Sequence, residues 1–448
     1  MSIVQNVNIA IDSVLLPTMS NVQDDKEKVL FENTDKMVSG TRFYTEEFNV
    51  NHIPTIVGNT IIEVINSDCI KEGIKLSDAG YNPAILNMAS RQNPGGGVTK
   101  GAGAQEETIF RRTNIFRSLY QFASYAGQYG IHKSAYQYPM DRNFGGIYTP
   151  SVTIFRSDEK NGYKLMKRPR EIAFISVAGM NRPKLKPDGM IEDFLVGEIK
   201  NKIRTILRIG LEHGHDSLVL GALGCGAFCN PPRHIARLFN EVEIKNMIAT
   251  SPEVKKILSE NKISGNLNMA ELHALQNGHC KDTQDVAVAI ANYLPPALKQ
   301  QVNIRDLKDG ALLHDFGKVL IPAEILNKNG RLTDDEHKIM DLHTELGYYL
   351  LKNSGLNDSV LNMVRYHHDN YLKTEAGKNF VPDINLQILN IADKYSALTE
   401  KRVYKDAYDS KKALMVIYGD VQRGEVHPFL FNALVKAVSA EQVPVIVK

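Results

Sequence analysis

The chain is short of cysteine, of net charge and of long apolar runs, and each shortage excludes something. Its four cysteines, Cys69, Cys225, Cys229 and Cys280, form no CxxC pair, so no cysteine-based structural zinc is expected, and a reducing, cytoplasmic setting is the simplest one. Lys and Arg total 53 against 51 Asp and Glu, and a formal net charge of +2 leaves no electrostatic footprint for a membrane surface or for specific nucleic-acid binding. No run of about 18 apolar residues is available to span a bilayer. Residues 1–20 lack the basic start and small-residue cleavage site of a signal peptide. There is no internal repeat and no low-complexity tract.

What is present is ample. A hydrophobic share of 43% suits a globular protein, and 448 residues exceed what one core usually fills. The first half alternates β-rich apolar stretches, at residues 60–65, 84–88, 172–177 and 218–222, with helical patterns such as Ile199, Ile203, Ile206 and Ile209. That alternation predicts a mixed sheet with helices on both faces and binding loops at strand ends. Residues 130–170, rich in Gly, Tyr and charge, read as a long excursion lining the site. A helix is expected from His234 through Phe239.

Gly95-Gly96-Gly97 stands seven residues before Gln105-Glu106-Glu107. Consecutive glycines lack Cβ atoms and offer backbone N–H groups, so a sugar diphosphate can approach closely. Apolar Ile109, Phe116, Leu119 and Tyr120 follow at the spacing of one helix face, which puts the carboxylates near a helix start, where anions are favoured. Cleavage of a ribosyl bond needs an acid for the leaving oxygen and a base for water. Two adjacent carboxylates can divide such work, one acting while its neighbour grips sugar hydroxyls.

This loop resembles the signature of poly(ADP-ribose) glycohydrolases, closely the microbial type. The segments 84–90, 148–156 and 223–232 resemble the family's entering strand, central segment and second ligand loop. The resemblance implies Glu107 as catalytic acid/base and Glu106 as a ribose ligand. It also implies that Asn87, Gly95, Gly96, Gly97, Gln105, Gly224, Cys225, Gly226, Ala227 and Phe228 contact ADP-ribose, poly(ADP-ribose) or an ADP-ribosylated protein, with no cofactor. A competing reading makes this domain an ADP-ribose reader without turnover. Intact Glu106 and Glu107 weigh against it, since binding alone does not require the acid.

In the second half, His314-Asp315-Phe316-Gly317-Lys318 packs a His, a carboxylate and a cation into about one helical turn, a grouping suited to metal and phosphate. His279, His343, His367, His368 and Asp393 follow this motif or precede it in an order that resembles the HD-domain phosphohydrolases, in particular the HD-GYP branch. By that resemblance His279, His314, Asp315, His343, His367, His368 and Asp393 hold two divalent ions (Fe, Mn, Mg or similar) and Lys318 meets the phosphate of a nucleotide or phosphate ester. Two departures stand out. Residues 369–380 replace the branch's Gly-Tyr-Pro segment, which weighs against cyclic di-GMP as substrate, and Leu275 stands where some members carry a third-metal Glu. A regulatory, nucleotide-sensing HD domain is the alternative.

The expectation is two domains: an α/β/α macrodomain-like mixed sheet over residues 1–260, then an all-α HD-domain helical bundle over 268–448. Residues 244–263 look helical, as a trimmed end of the first domain or a rigid connector. Turns are expected at Pro295-Pro296, Asn329-Gly330 and Gly355, with no strong strand after Met269.

Overall fold

The computed structural model describes residues 34–48, 64–369, 383–400 and 407–440. The chain divides into two compact units, one ending at Val242 and the other running from Glu243.

Among its described residues the first unit is built on five strands, β1 (Arg42–Tyr44), β2 (Pro83–Met88), β3 (Gly146–Arg156), β4 (Leu165–Val177) and β5 (Ser217–Val219). Their order is β1-β3-β4-β2-β5, with β2 parallel to both β4 and β5 and β3 antiparallel to β1 and β4. Its helices are α1 (Thr34–Gly40), α2 (Cys69–Asp78), α3 (Gln105–Arg112), α4 (Phe116–Tyr120), α5 (Asp193–Glu212) and α6 (Pro232–Thr250), the last crossing into the second unit. Side-chain alternation along β2 explains the layers. Ile85 packs on one face with Phe110, Phe116 and Phe174, whereas Ala84 and Leu86 pack on the other with Ile199, Ile203, Ile206 and Ile209 of α5. A strand covered on both faces reads as one continuous apolar run, as Pro83–Leu86 does.

The predicted mixed sheet is therefore present, with three differences from the sequence reading. Of the strand expected at 60–65, residues 60–63 lie outside the described residues, and Val64 and Ile65 are exposed and not in a strand. Residues 130–170 are not one excursion, since they contain β3 and the start of β4. The helix opened by the carboxylates ends at Arg112, because Thr113 bridges to Ile154 and Asn114 exchanges hydrogen bonds with Thr153 of β3, donating its N–H at 3.2 Å and accepting at Oδ1 at 2.9 Å.

The described residues of the second unit contain only helices and turns: α7 (Pro252–Glu260), α8 (Met269–Asn277), α9 (His279–Asn292), α10 (Pro296–Lys299), α11 (Ile304–Leu313), α12 (Ala323–Leu326), α13 (Asp334–Leu351), α14 (Asp358–Tyr366), α15 (Ile384–Thr399), α16 (Ser410–Gln422) and α17 (Pro428–Ser439). Helix starts are set by side-chain caps: Asn303 on α11, a Thr333/Glu336 capping box on α13, Asn357 on α14 and Asp383 on α15. Residues 244–263 belong to this core, where Ile244, Val254, Leu258 and Ile263 cluster with Leu272, Val319, Leu320 and Leu346. They are neither a free connector nor an edge of the sheet.

Candidate active sites

The loop after β2 and the loop after β5 leave the same end of two adjacent parallel strands, the end where ligands bind open α/β sheets. The first loop does something the sequence did not disclose. The N–H groups of Gly95 and Gly97 are not open to a ligand: Gly95 donates to Glu106 Oε1 at 2.9 Å and Gly97 donates to Glu107 Oε1 at 2.9 Å. Gly96 N–H closes a turn on Asn93 O at 3.2 Å. Ser90 N–H gives Glu106 Oε2 a second donor at 2.7 Å. The glycines thus organise the carboxylates, which corrects the expectation of free N–H groups.

Gly96 allows this arrangement twice over. Its φ of +53° is left-handed, and a Cβ would sit 2.5 Å from Glu107 Oε1 and 3.2 Å from Glu106 Oε2. Gln105 ties α3 to the sheet, accepting from Met88 N–H at 2.7 Å and donating to Leu86 O at 2.7 Å. Gln105 is therefore a brace in this structure. Asn87 donates to Ser176 Oγ at 3.0 Å, while its Oδ1 is buried without a partner.

The two glutamates differ. Burial pushes the Glu106 pKa up to about 8, against the two backbone N–H donors, which favour its carboxylate. Glu107 keeps Oε1 on Gly97, and its Oε2 is buried with no hydrogen-bond partner.

In the second loop, Gly224 has φ +73° and packs so close to Gly179 that a Cβ on Gly179 would meet Gly224 Cα at 2.8 Å. The backbone N–H groups of Gly226, Ala227 and Phe228 meet no acceptor among the described residues. Here, rather than at Gly95 to Gly97, the backbone has donors to spare for an anion. Asn230 holds the loop: its Nδ2 donates to Met180 O at 2.6 Å and to Gly224 O at 2.9 Å. Sequence reasoning passed over Asn230 as a site residue, although its position between the loop and Pro231-Pro232 was a signal. Cys225 and Cys229 carry free thiols.

In the second unit all seven expected ligands converge. Six of them form two groups, His279/His314/Asp315 and His343/His367/His368, each with ligand atoms within 4.8 Å of one another, and Asp393 adjoins the first. Asp315 faces both. Its Oδ1 lies 3.4 Å from His343 Nε2 and 3.8 Å from His367 Nε2, and its Oδ2 lies 3.4 Å from His314 Nε2 and 4.0 Å from His279 Nε2. Asp393 Oδ1 approaches His279 Nε2 at 2.8 Å and His314 Nε2 at 3.7 Å. Lys318 Nζ stands 2.6 Å from Asp315 Oδ2. The motif is not one helical turn: α11 ends before His314, and residues 316–320 form a separate 3-10 turn.

Three of the imidazoles are prepared as neutral ligands, whereas at His279 burial is overridden by the adjacent Asp393 carboxylate, which pushes its pKa up. His314, His343 and His367 face backbone carbonyls three residues earlier through Nδ1, at 2.8, 2.6 and 2.9 Å. That bond places the proton on Nδ1 and leaves the Nε2 lone pair for a metal. Burial lowers the pKa of all three, that of His343 to about 3. Burial opposes ionisation of Asp315, yet Lys318 and the surrounding histidines hold its carboxyl well below the usual range. Neutral imidazoles at His314, His343 and His367 beside two ionised aspartates, with His314 Nε2 buried and lacking a partner, fit a divalent-cation centre.

Residues 15–157 match the family described as microbial-type PARG, catalytic domain, and residues 278–398 match the HD domain. Among solved structures, poly(ADP-ribose) glycohydrolase (PARG) from Thermomonospora curvata is 27% identical, covers 52% of this chain and 85% of its own, and superposes with a TM-score of 0.41. The Xanthomonas campestris protein named cyclic di-GMP phosphodiesterase response regulator RpfG is 34% identical over 140 residues, 30% of this chain and 36% of its own length. A Vibrio cholerae cyclic di-GMP phosphodiesterase is 30% identical over 201 residues, 41% of this chain and 40% of its own. The chain thus spans about two fifths or less of these curated relatives. HD domains imply divalent-metal binding, and no described helix is long and apolar enough to cross a membrane. The chain thus carries one stretch matched by the microbial-type PARG catalytic domain and another matched by the HD domain, two hydrolase families in one polypeptide.

Proposed function

We propose that the first unit hydrolyses ribosyl O-glycosidic bonds in poly(ADP-ribose) or ADP-ribosylated protein, releasing ADP-ribose, with Glu107 as the acid/base. The observation that carries this reading is the asymmetry of Glu107, one oxygen fixed by Gly97 N–H and the other buried with no partner. Oε2 gives a proton to the leaving oxygen as the C1–O bond of the ribose breaks. It then takes a proton from the water that attacks C1, so the glutamate returns to its starting state. Glu106, fixed by Ser90 and Gly95, aligns the ribose. The unengaged N–H groups of Gly226 to Phe228 take the diphosphate.

The second unit is a phosphohydrolase acting on a nucleotide or phosphate ester. Two divalent ions (iron, manganese, magnesium or similar) would be held by His279, His314, Asp315, His343, His367, His368 and Asp393. When bound they supply Lewis acidity for phosphoester hydrolysis. Lys318 brings its positive charge to the phosphate from beside Asp315. The limits of 1–260 and 268–448 stand as the proposed division, except that residues 244–263, which pack on the second core, go with the second domain.

The test is release of ADP-ribose from poly(ADP-ribosyl)ated protein in excess chelator by the natural chain and by Glu107→Gln. Release that the substitution abolishes supports the metal-independent glycohydrolase. Binding of ADP-ribose with no release by the natural chain would make the first unit a reader.

A further inference from the structure

Of the five ligand histidines, His314, His343 and His367 have their distal nitrogen fixed by a backbone carbonyl three residues earlier, and buried His279 does not. His279 is the first residue of α9, directly after Gly278, whose φ of −112° and ψ of −105° break the run from α8. A histidine at that position has no aligned carbonyl one turn back. Its ring is only 4% exposed and its Nδ1 is buried without a hydrogen-bond partner. The nearest acidic atom is Glu400 Oε2, 3.6 Å from Nδ1.

Glu400 lies seven residues, about two helical turns, beyond Asp393. It sits at the C-cap of α15, its own N–H donating to Ser396 O at 2.9 Å. One helix therefore presents a carboxylate to each nitrogen of His279: Asp393 to Nε2 at 2.8 Å and Glu400 to Nδ1 at 3.6 Å.

Resting on the metal-centre reading above, we propose that Glu400 is the positioning residue for His279, replacing the carbonyl that orients His314, His343 and His367. In the ligand tautomer the proton of His279 resides on Nδ1 and requires an acceptor; a small rotation of the Glu400 side chain closes 3.6 Å to a hydrogen bond. With that proton held, the Nε2 lone pair points between Asp393 and Asp315. The half of the centre built on His279 then depends on Glu400, and the half built on His343, His367 and His368 does not.

The experiment is titration of the metal-stripped full chain with Co2+, following the ligand-field spectrum and the bound stoichiometry, for the natural chain, Glu400→Ala and Glu400→Gln. The natural chain is expected to take two ions per chain. Glu400→Ala should keep one at unchanged affinity and bind the other about 10- to 100-fold more weakly, with an altered spectrum for that ion alone, and Glu400→Gln, which retains an acceptor, should recover most of the loss. A natural chain that binds no ion overturns the metal centre and this assignment together. Two ions bound by Glu400→Ala at natural affinity and spectrum overturn the assignment alone. So does equal weakening of both ions, or a loss that Gln does not relieve.

Discussion

A Cβ built on Gly96 would lie 2.5 Å from Oε1 of Glu107, the oxygen that Gly97 N–H holds at 2.9 Å. The glycine thus shapes the proposed catalytic geometry through the space it leaves empty. Gly96→Ala must move either the loop or the carboxylate, and it also forces a left-handed φ on a residue with a side chain. Glycohydrolase turnover should fall by about 100-fold. Gly103→Ala, where nothing lies within 4 Å, should leave turnover near the natural value. Steady-state kinetics on the same polymer compares the two, and equal activity of Gly96→Ala and the natural chain would contradict the role given to the loop.

Glu106 makes the stability of the first unit depend on pH. Burial raises its folded pKa to about 8 from 4.5, so folding takes up a proton between those values. The stabilisation of the neutral form is fully present below about pH 4.5 and is lost as pH rises through about 8, at roughly 1.4 kcal/mol per pH unit as an upper bound. Glu106→Gln cannot titrate, and it loses one acceptor for Ser90 or Gly95 N–H. The natural chain should exceed the variant in thermal stability most at pH 5, and the gap should shrink by pH 9. A gap that does not change with pH contradicts the buried, neutral Glu106.

Much of both sites was legible because their chemistry restricts residue types at fixed spacings. Gly95 and Gly97 meet Glu106 and Glu107, and the seven His and Asp residues that the HD-domain resemblance implied as ligands come together in the second unit. What was not legible depends on partners distant in sequence. The N–H groups of Gly95 and Gly97 look available in a sequence and are occupied only once α3 folds back over the loop. The end of α3 is set by strand pairing of Thr113 with Ile154, which overrides an otherwise helical apolar spacing. The strands β3 and β4 carry Gly, Tyr and charged residues that blur period-two alternation, so residues 130–170 read as loop. Glu400 carries no motif at all, because its role depends on the break at Gly278.

Gly317 performs for the metal centre what Gly96 performs for the carboxylates. A Cβ there would fall 2.0 Å from His343 O and 2.5 Å from Gly347 N, both backbone atoms that cannot swing aside. Gly317→Ala must push the 3-10 turn off α13, carrying Asp315 and Lys318 away from His343. Overpacking of this kind costs about 1–3 kcal/mol or more. The variant should unfold earlier in its second unit and bind divalent ions more weakly, while glycohydrolase turnover in chelator stays natural. Calorimetry with metal titration checks both, and natural metal affinity would show that the turn tolerates the shift.

Asn230 separates loop architecture from chemistry in the first unit. Its amide is 3% exposed and donates to Met180 O and Gly224 O at 2.6 and 2.9 Å, joining the segment after β4 to the loop after β5. Asn230→Ala leaves two carbonyls without that donor, a cost of about 1–3 kcal/mol. The loss falls on the loop whose Gly226, Ala227 and Phe228 N–H groups are assigned to the diphosphate. ADP-ribose affinity measured by calorimetry should drop about 5- to 150-fold, the range those energies span. Because Glu107 is held from the other loop, by Gly97, turnover at saturating substrate should fall much less than affinity. A variant that binds ADP-ribose normally but turns over slowly would move Asn230 from the binding loop to the chemical step, and the diphosphate would then need a different set of donors.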